Sequence, residues 1–241
     1  MTNSTTTKYA DRLQETLPAV RERLENALVA SGRPSGAVRL VAVTKGHPYD
    51  AIEAALAAGL DDLGENRVEE LEGKVEHFGG DGIAWHMIGH VQSRKAGRVS
   101  QIASLVHSVD SMRLAGKIAR AGADQGRRVG VLAQVNTARE EAKYGLDPDT
   151  AYEEILEMAE MPGLRVEGLM AMAPYVDDER ILSETFAGLR ELADRLRSST
   201  PQVGAELSMG MTNDLEIAIR EGSTMVRIGT ALFGERVGSA Q

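Results

Sequence analysis

The sequence predicts a single (β/α)8 TIM barrel with an additional helix before its first strand. Short apolar runs typical of buried parallel strands alternate eight times with stretches of helical periodicity. The connections are short, and no linker divides the 241 residues, a length close to the roughly 250 residues typical of such barrels. Because alternation alone does not prove closure, an open doubly wound sheet is the alternative.

The composition is that of an ordinary soluble globular protein, with 42% hydrophobic and 26% charged residues. A net charge of −9 gives no indication of nucleic acid or an anionic membrane as a partner. The absence of cysteine excludes disulfides, thiolate metal sites and a cysteine nucleophile. No stretch reaches the roughly 18 apolar residues of a membrane helix, and the polar amino terminus lacks a signal-peptide core. We therefore expect a cytoplasmic protein.

The chain is expected to begin with a disordered tail at residues 1–7, followed by a single domain at residues 8–241. Apolar positions from Leu13 to Leu28 recur at steps of three and four, which predicts an amphipathic helix that closes near Gly32. Pro18 predicts a kink or a fresh start within it.

The barrel elements then follow in alternation. The predicted strands are 38–45, 62–64, 84–88, 105–109, 129–135, 164–170, 206–208 and 225–228; the predicted helices are 50–58, 66–76, a short one from 92, 111–123, 150–159, 179–196 and 214–220. The long polar loop at residues 136–148 carries the charged residues Arg139, Glu140, Glu141 and Lys143. Solvent exposure explains these charges, and a lid or a partner surface is the alternative.

Lys45 closes the first predicted strand and is the most informative residue of the chain. Burying an ammonium group is costly unless it is paired or neutralised, so a lysine at the end of an apolar strand is unusual. The turn and helix that follow place it at the carboxyl face of a β-α unit, where barrels keep their chemistry. A desolvated lysine there can form a Schiff base with a carbonyl, and a surface lysine that happens to follow a strand is the alternative.

The last two strand ends predict a phosphate site. Ser208 is followed by Gly210, and Gly229 by Thr230, so hydroxyls and accessible backbone N–H groups come from adjacent strand ends. Barrels frequently build phosphate sites from these two loops and a helix N-terminus. The same glycines could instead be simple punctuation between strands and helices.

Arg227 is expected inside the barrel if Met225 points inward, because side chains of a strand alternate. An interior guanidinium needs an acceptor, which is either a structural carboxylate or a ligand. Together with Lys45 and the phosphate site, this pattern fits pyridoxal 5′-phosphate (PLP), with the aldehyde at the lysine and the ring nitrogen at the arginine. A Schiff-base sugar-phosphate aldolase would use the same lysine and phosphate site, so these residues alone leave both possibilities open.

Several longer motifs resemble those of the pyridoxal phosphate homeostasis protein family, whose barrels are similar to the N-terminal domain of alanine racemase. The resemblance covers nearly the whole chain from about residue 38. The motifs are VAVTK (41–45), GENRVEE (64–70), WHMIGHVQSRK (85–95), HSVDS (107–111), GLMAM (168–172), LSMGMTND (207–214) and RIGTALFG (227–234).

The resemblance implies a PLP-binding barrel in which Lys45 holds the cofactor as an internal aldimine. It also implies that Ser208, Gly229 and Thr230 bind the phosphate, that Arg227 contacts the pyridine nitrogen, and that Asn66 approaches the ring. Thr212 stands where the family often has serine, which keeps the hydroxyl.

Family members affect intracellular PLP balance and amino-acid metabolism without established catalysis, so the resemblance implies a protein that buffers PLP or delivers it to apo-enzymes. A racemase-like enzyme is the alternative, with Lys45 as a catalytic base. Alanine racemase takes its second base, a tyrosine, from a C-terminal domain that we do not find in this sequence, and we therefore expect a monomeric, non-catalytic protein. The pair His86 and His90 invites a metal site, but four-residue spacing across a strand and a loop does not bring two rings together, so no metal is expected.

Overall fold

The computed structural model describes residues 4–140 and 144–235 and shows one closed barrel of parallel strands. The strands pair in chain order, and β8 closes the barrel against β1 with Arg227 opposite Val41. This confirms the predicted (β/α)8 barrel over the open sheet. The strands are β1 (Arg39–Val43), β2 (Asp62–Glu65), β3 (Ala84–Met87), β4 (Leu105–Val109), β5 (Val129–Gln134), β6 (Leu164–Met170), β7 (Val203–Ser208) and β8 (Met225–Ile228).

Helices surround the barrel on its outer side. They are α1 (Ser4–Ala30), α2 (Tyr49–Ala57), α3 (Val68–Phe78), α4 (Ala96–Ile102), α5 (Met112–Asp124), α6 (Ala151–Ala159), α7 (Glu179–Ser199), α8 (Leu215–Arg220) and α9 (Thr230–Phe233), with a 3₁₀ turn at Ser93–Lys95. The short helix α9 was not predicted, because a single turn is too short to show a helical period. Within the described part of the chain, no helix has the length and apolar character needed to cross a membrane.

The additional helix α1 is longer than the sequence indicated. It begins at Ser4, so residues 4–7 of the expected disordered tail are helical, and residues 1–3 lie outside the described residues. Serine and threonine are tolerated in a first turn, because its N–H groups have no intrahelical partner in any case. Pro18 lies within the helix and does not end it, at the loss of one backbone hydrogen bond. The apolar face of α1 packs against α2, α8 and α9.

The barrel interior combines an apolar cluster with buried polar side chains. Its apolar part is a cluster of buried side chains: Val41, Leu105, Leu132, Met170 and Met225. Since Met225 points inward, the alternation of β8 also turns Arg227 inward, as the sequence predicted, and Arg227 is only 5% exposed. The larger core lies between the strands and the helices and includes Trp85 and Phe186.

Several elements differ from the sequence prediction. β1 ends at Val43, before the predicted end at Lys45, and α4 begins at Ala96 after the 3₁₀ turn, where a helix from residue 92 was predicted. β7 begins at Val203, three residues earlier than expected, because its first half alternates in burial and carries no continuous apolar run. The loop after β5 is held by a parallel bridge between Val135 and Leu146 and by an ion pair of Arg139 with Asp149. Residues 141–143, which include Glu141 and Lys143 of the predicted charged loop, lie outside the described residues.

Candidate functional site

Lys45 lies in the turn that follows β1, at the carboxyl rim of the barrel. Val41 and Val43 both face the interior position of Gly64, where a Cβ would lie 3.1 Å and 3.6 Å from their methyl carbons. Lys45 comes two residues after Val43, within the turn, and is half-buried. The structure therefore places Lys45 at the rim position that the sequence predicted.

The backbone on each side of Lys45 is fixed from α3. The Lys74 ammonium donates to the carbonyl oxygen of Thr44 at 2.9 Å, and the Gly46 N–H donates to the Glu70 carboxylate at 3.2 Å. We call Glu70 and Lys74, together with the Glu65 carboxylate that pairs with Lys74, the α3 clamp. It holds the backbone of both neighbours of Lys45. It limits the freedom of the turn without contacting the lysine side chain through these bonds, so it serves to position Lys45.

The α3 clamp contains a buried ion pair. Lys74 lies 2.6 Å from Oε1 of Glu65, which also accepts a hydrogen bond from the Thr44 hydroxyl at 2.5 Å. Burial raises the pKa of Glu65 to about 7, although Lys74 and Thr44 favour its ionised form. Its second oxygen, Oε2, is buried and has no hydrogen-bond partner among the described residues. The carboxyl group of Glu65 therefore titrates near neutral pH.

The predicted phosphate residues of β8 lie beside the end of β1. A Cβ at Gly229 would lie 3.2 Å from the carbonyl oxygen of Val43, so a side chain there would crowd the close approach of the two strand ends. Gly229 is half-buried and Thr230, the first residue of α9, is exposed at the rim. The first N–H groups of a helix have no intrahelical partner and can bind an anion. This end of the barrel thus offers backbone donors next to Lys45.

Asn66 occupies the rim after β2, on the other side of Lys45. It is half-buried, and its backbone lies against Gly89, where a Cβ would be 2.3 Å from the Asn66 carbonyl oxygen. The close approach of the two loops restricts the backbone of Asn66 at the rim.

Arg227 reaches the centre of the barrel below this rim. Its guanidinium donates to the Ser208 hydroxyl at 2.6 Å and to the Ala171 carbonyl oxygen at 3.1 Å. Burial lowers the pKa of Arg227 to about 10, and the charge of Asp214 opposes that shift. Among the described residues Arg227 forms these hydrogen bonds and no ion pair, so its remaining N–H groups keep donor capacity for a ligand.

Ser208 is fully buried and belongs to a chain of hydrogen bonds through the barrel. His107 Nδ1 lies 2.9 Å from Ser208 Oγ, His107 Nε2 lies 2.8 Å from His86 Nδ1, and His86 Nε2 lies 2.8 Å from Asp62. We call Asp62, His86, His107 and Ser208 the interior relay. It connects Arg227 with the opposite rim, where Asp62 is 20% exposed.

The interior relay is electrostatically asymmetric. Burial alone would raise the pKa of Asp62, but the hydrogen bond from His86 and the charge of Arg39 take it below its usual value. Burial holds the pKa of His107 well below its ordinary value, and the nearby His86, Arg227 and Arg39 lower it further. At neutral pH the relay therefore has an anion at one end and a neutral His107 in its middle.

The low pKa of His107 predicts that the protein loses stability in mild acid. Because the unfolded chain binds a proton at about pH 6.5 and folded His107 does not, the free energy of unfolding falls as the pH drops below that value, by up to about 1.4 kcal/mol per pH unit. Urea denaturation between pH 7.5 and 5.5 should show a shallower pH dependence for His107→Asn than for the wild type. His77→Asn, at an exposed site, should keep the wild-type slope. Equal slopes in wild type and His107→Asn would contradict this role.

The sequence-predicted residues fall into two groups in space. Lys45, Asn66, Gly229 and Thr230 lie at the carboxyl rim, while Arg227 and Ser208 lie buried beneath it. His86 and His90 diverge: His86 belongs to the interior relay, and His90 pairs with Asp110 at 2.8 Å on the rim. No metal-binding cluster of three His, Asp or Glu residues occurs in residues 4–140 and 144–235.

Sequence reasoning missed the α3 clamp and the interior relay. The local signals for the interior relay were His86 on β3 and a histidine in the apolar strand β4, and neither identifies its partner. Nothing near Lys74 in the sequence marks its burial. It also missed a cavity of about 410 Å³ at the carboxyl ends of β6 and β7, whose lining includes Thr212, Asn213 and Asp214.

Comparisons with known proteins agree with this geometry. The family model of the alanine racemase N-terminal domain matches residues 16–237. A pyridoxal phosphate homeostasis protein of Aquifex aeolicus is 37% identical over 222 residues, which cover 92% of this chain and 97% of the relative.

Two solved structures share the fold and more than a third of the sequence. A crystal structure from Bifidobacterium adolescentis has a TM-score of 0.87 at 37% identity, covering 97% of both chains. The structure of PipY from Synechococcus elongatus with PLP bound has a TM-score of 0.77 at 36% identity, covering 89% of this chain and all (100%) of that one.

Proposed function

This chain belongs to the pyridoxal phosphate homeostasis protein family, as its motifs predicted, and from that membership we propose that it binds PLP at the carboxyl rim and buffers or delivers it. The main observation behind the proposal is that Lys45, after β1, lies next to the carboxyl end of β8, where Arg227, Gly229 and Thr230 are found. The PLP-bound structure of the relative PipY supports the same cofactor.

The residues present fit the chemistry of PLP. Lys45 provides an amine for covalent attachment to the aldehyde, and its turn is fixed by the α3 clamp. Gly229 and Thr230 provide backbone N–H groups and a hydroxyl for the phosphate, with Ser208 as the deeper hydroxyl. Arg227, held between Ser208 and Ala171, donates to the ring nitrogen and keeps it unprotonated, because a guanidinium hardly gives up its own proton. Asn66 faces the ring from the β2 side.

An arginine at the ring nitrogen favours holding the cofactor over using it. Bound PLP supplies an electrophilic aldehyde and an electron-withdrawing ring, and an unprotonated ring is the weaker electron sink. We therefore propose a non-catalytic carrier that acts as a monomer in the cytoplasm and passes PLP to apo-enzymes.

The test begins with the visible absorption spectrum of the protein after addition of PLP. We expect a yellow band that borohydride bleaches, and peptide mass mapping should then place a pyridoxyl group on Lys45. A protein that PLP cannot colour would overturn the proposal and favour the sugar-phosphate aldolase. Exchange of the α-proton of alanine in deuterated water, lost in Lys45→Ala, would instead support a racemase-like enzyme.

A further inference from the structure

The contacts of the interior relay are compatible with two directions of hydrogen bonding, which depend on the nitrogens that carry the imidazole protons. Asp62 is ionised and can only accept, so His86 carries its proton on Nε2, 2.8 Å away. When His86 carries no second proton, its bare Nδ1 accepts from His107 Nε2–H at 2.8 Å, and the bare Nδ1 of His107 accepts from the Ser208 hydroxyl at 2.9 Å. In this state each hydrogen bond of the relay is donated in the direction of Asp62.

This direction leaves Ser208 without a proton for a ligand. Its single hydroxyl proton is donated to His107, and its oxygen accepts from Arg227 at 2.6 Å. A phosphate oxygen can only accept hydrogen bonds, so Ser208 in this state cannot serve the phosphate that we assign to this end of the barrel.

One added proton reverses the relay. With both nitrogens of His86 protonated, Nδ1–H of His86 donates to Nε2 of His107, and His107 carries its own proton on Nδ1 and donates it to Ser208 Oγ. Ser208 keeps its hydroxyl proton but must turn it away from His107. The relay then holds one proton more than before. The additional proton is on His86, while His107 and Ser208 keep one each.

We propose that the interior relay couples phosphate binding to proton uptake: reversal of its hydrogen bonds frees the Ser208 hydroxyl for a phosphate-bearing ligand beside Arg227. The inference rests on the proposed function, since it takes the ligand phosphate to lie within reach of Ser208. The three relay residues below Ser208 are positioning residues, because they act on the ligand only through that hydroxyl.

The charges around the relay also favour proton uptake, rather than proton release, when a phosphate binds. The charged groups that act on the two imidazoles are Asp62 on β2, which hydrogen-bonds to His86, and Arg39 on β1 and Arg227 on β8, whose charges lower the pKa of His107. Glu206 on β7 pairs with Arg39. Arg39 lies 3.9 Å from Asp62 and 2.6 Å from Glu206, whereas Arg227 has no ion pair among the described residues. A second cation beside Arg227 is unfavourable in the free protein and is compensated when an anionic phosphate binds.

The relay also has a route to solvent away from the ligand. Asp62 lines a cavity of about 330 Å³ beneath the barrel, together with Leu28 of α1 and Leu60 before β2. A proton can therefore reach His86 from the medium past Asp62 while the upper end is covered by a ligand.

The test uses pyridoxine 5′-phosphate, which has the ring and phosphate of PLP but no aldehyde, so that attachment to Lys45 releases no proton. Calorimetric titrations in buffers of different ionisation enthalpy give the number of protons taken up on binding. Asp62→Asn removes the anion that sets the direction of the relay, and Asp61→Asn changes the neighbouring exposed carboxylate as a matched control. The ligand phosphate, whose second pKa is about 6, titrates in all three experiments. Its contribution is removed by subtracting the number of protons taken up when Asp62→Asn binds the ligand.

Wild type and Asp61→Asn should take up more protons than Asp62→Asn, and their affinity should fall more steeply with rising pH, approaching about tenfold per unit for a full proton. Equal proton counts in the three proteins would overturn the proposal.

Nitrogen NMR of the histidine rings provides a readout independent of affinity. In the free protein both His86 and His107 should carry the proton on Nε2, and the ligand should move that of His107 to Nδ1. A free protein with His107 protonated on Nδ1, or a ring that does not change on binding, would overturn the relay. A protein that binds no pyridoxine 5′-phosphate would instead overturn the proposed function, and the free-state rings would still test the direction assigned here.

Discussion

A Lys45→Ala variant is expected to lose the yellow colour and the borohydride-trapped pyridoxyl group while it remains folded. The side chain is only half-buried at the rim, so its removal opens no core cavity. The phosphate and ring contacts proposed for Thr230 and Arg227 remain, so weak binding of PLP should persist at an affinity reduced at least about tenfold, or about 1.4 kcal/mol.

Two further proteins make this measurement decisive. Lys117→Ala removes an exposed lysine of α5 and should leave the spectrum and the trapped group unchanged. Pyridoxine 5′-phosphate should bind wild type and Lys45→Ala with similar affinity, because it has no aldehyde for the lysine. A Lys45→Ala protein that still becomes yellow would assign the attachment to another amine and would remove Lys45 from the proposed site.

The barrel and the rim residues were accessible from the sequence because their signals are local. Lys45 is recognisable as a charge at the end of an apolar run, and Arg227 as an inward position two residues after Met225. Neither inference needs knowledge of which strand lies next to which. The motif resemblance then supplied the cofactor, which these residues alone left open.

The interior relay could not be predicted in this way, because its contacts depend on the register between strands. His86 and His107 are 21 residues apart on β3 and β4, and the pairing between β4 and β5 shifts at an irregularity after Val106. The sequence instead drew attention to His86 and His90, which are close in the chain but point to different places. A polar network of this kind is specified by the closed barrel as a whole.

The ion pair of the α3 clamp is expected to contribute the largest single-residue effect on stability. In Lys74→Met the side chain keeps its length, but Glu65, which is fully buried, loses the cation 2.6 Å away. Breaking a buried pair from one side typically costs about 3–5 kcal/mol, because an uncompensated charge remains. Urea denaturation at pH 8 should show a loss of this size, and Lys117→Met should stay within about 0.5 kcal/mol of the wild type.

The pH dependence distinguishes this electrostatic cause from lost packing. The pKa of Glu65 is raised to about 7 in the folded protein, above its usual 4.5, so its favourable contribution is complete below about pH 4.5 and is lost as the pH rises through 7. Without Lys74 the protonated form is favoured further, and the deficit of Lys74→Met should therefore be smaller at pH 5 than at pH 8. The same deficit at both values would show that Lys74 contributes through packing alone.

Because Lys74 also holds the Thr44 carbonyl, we expect PLP attachment at Lys45 to weaken in Lys74→Met together with stability. An unchanged PLP affinity in Lys74→Met would show that the α3 clamp does not act on the cofactor site.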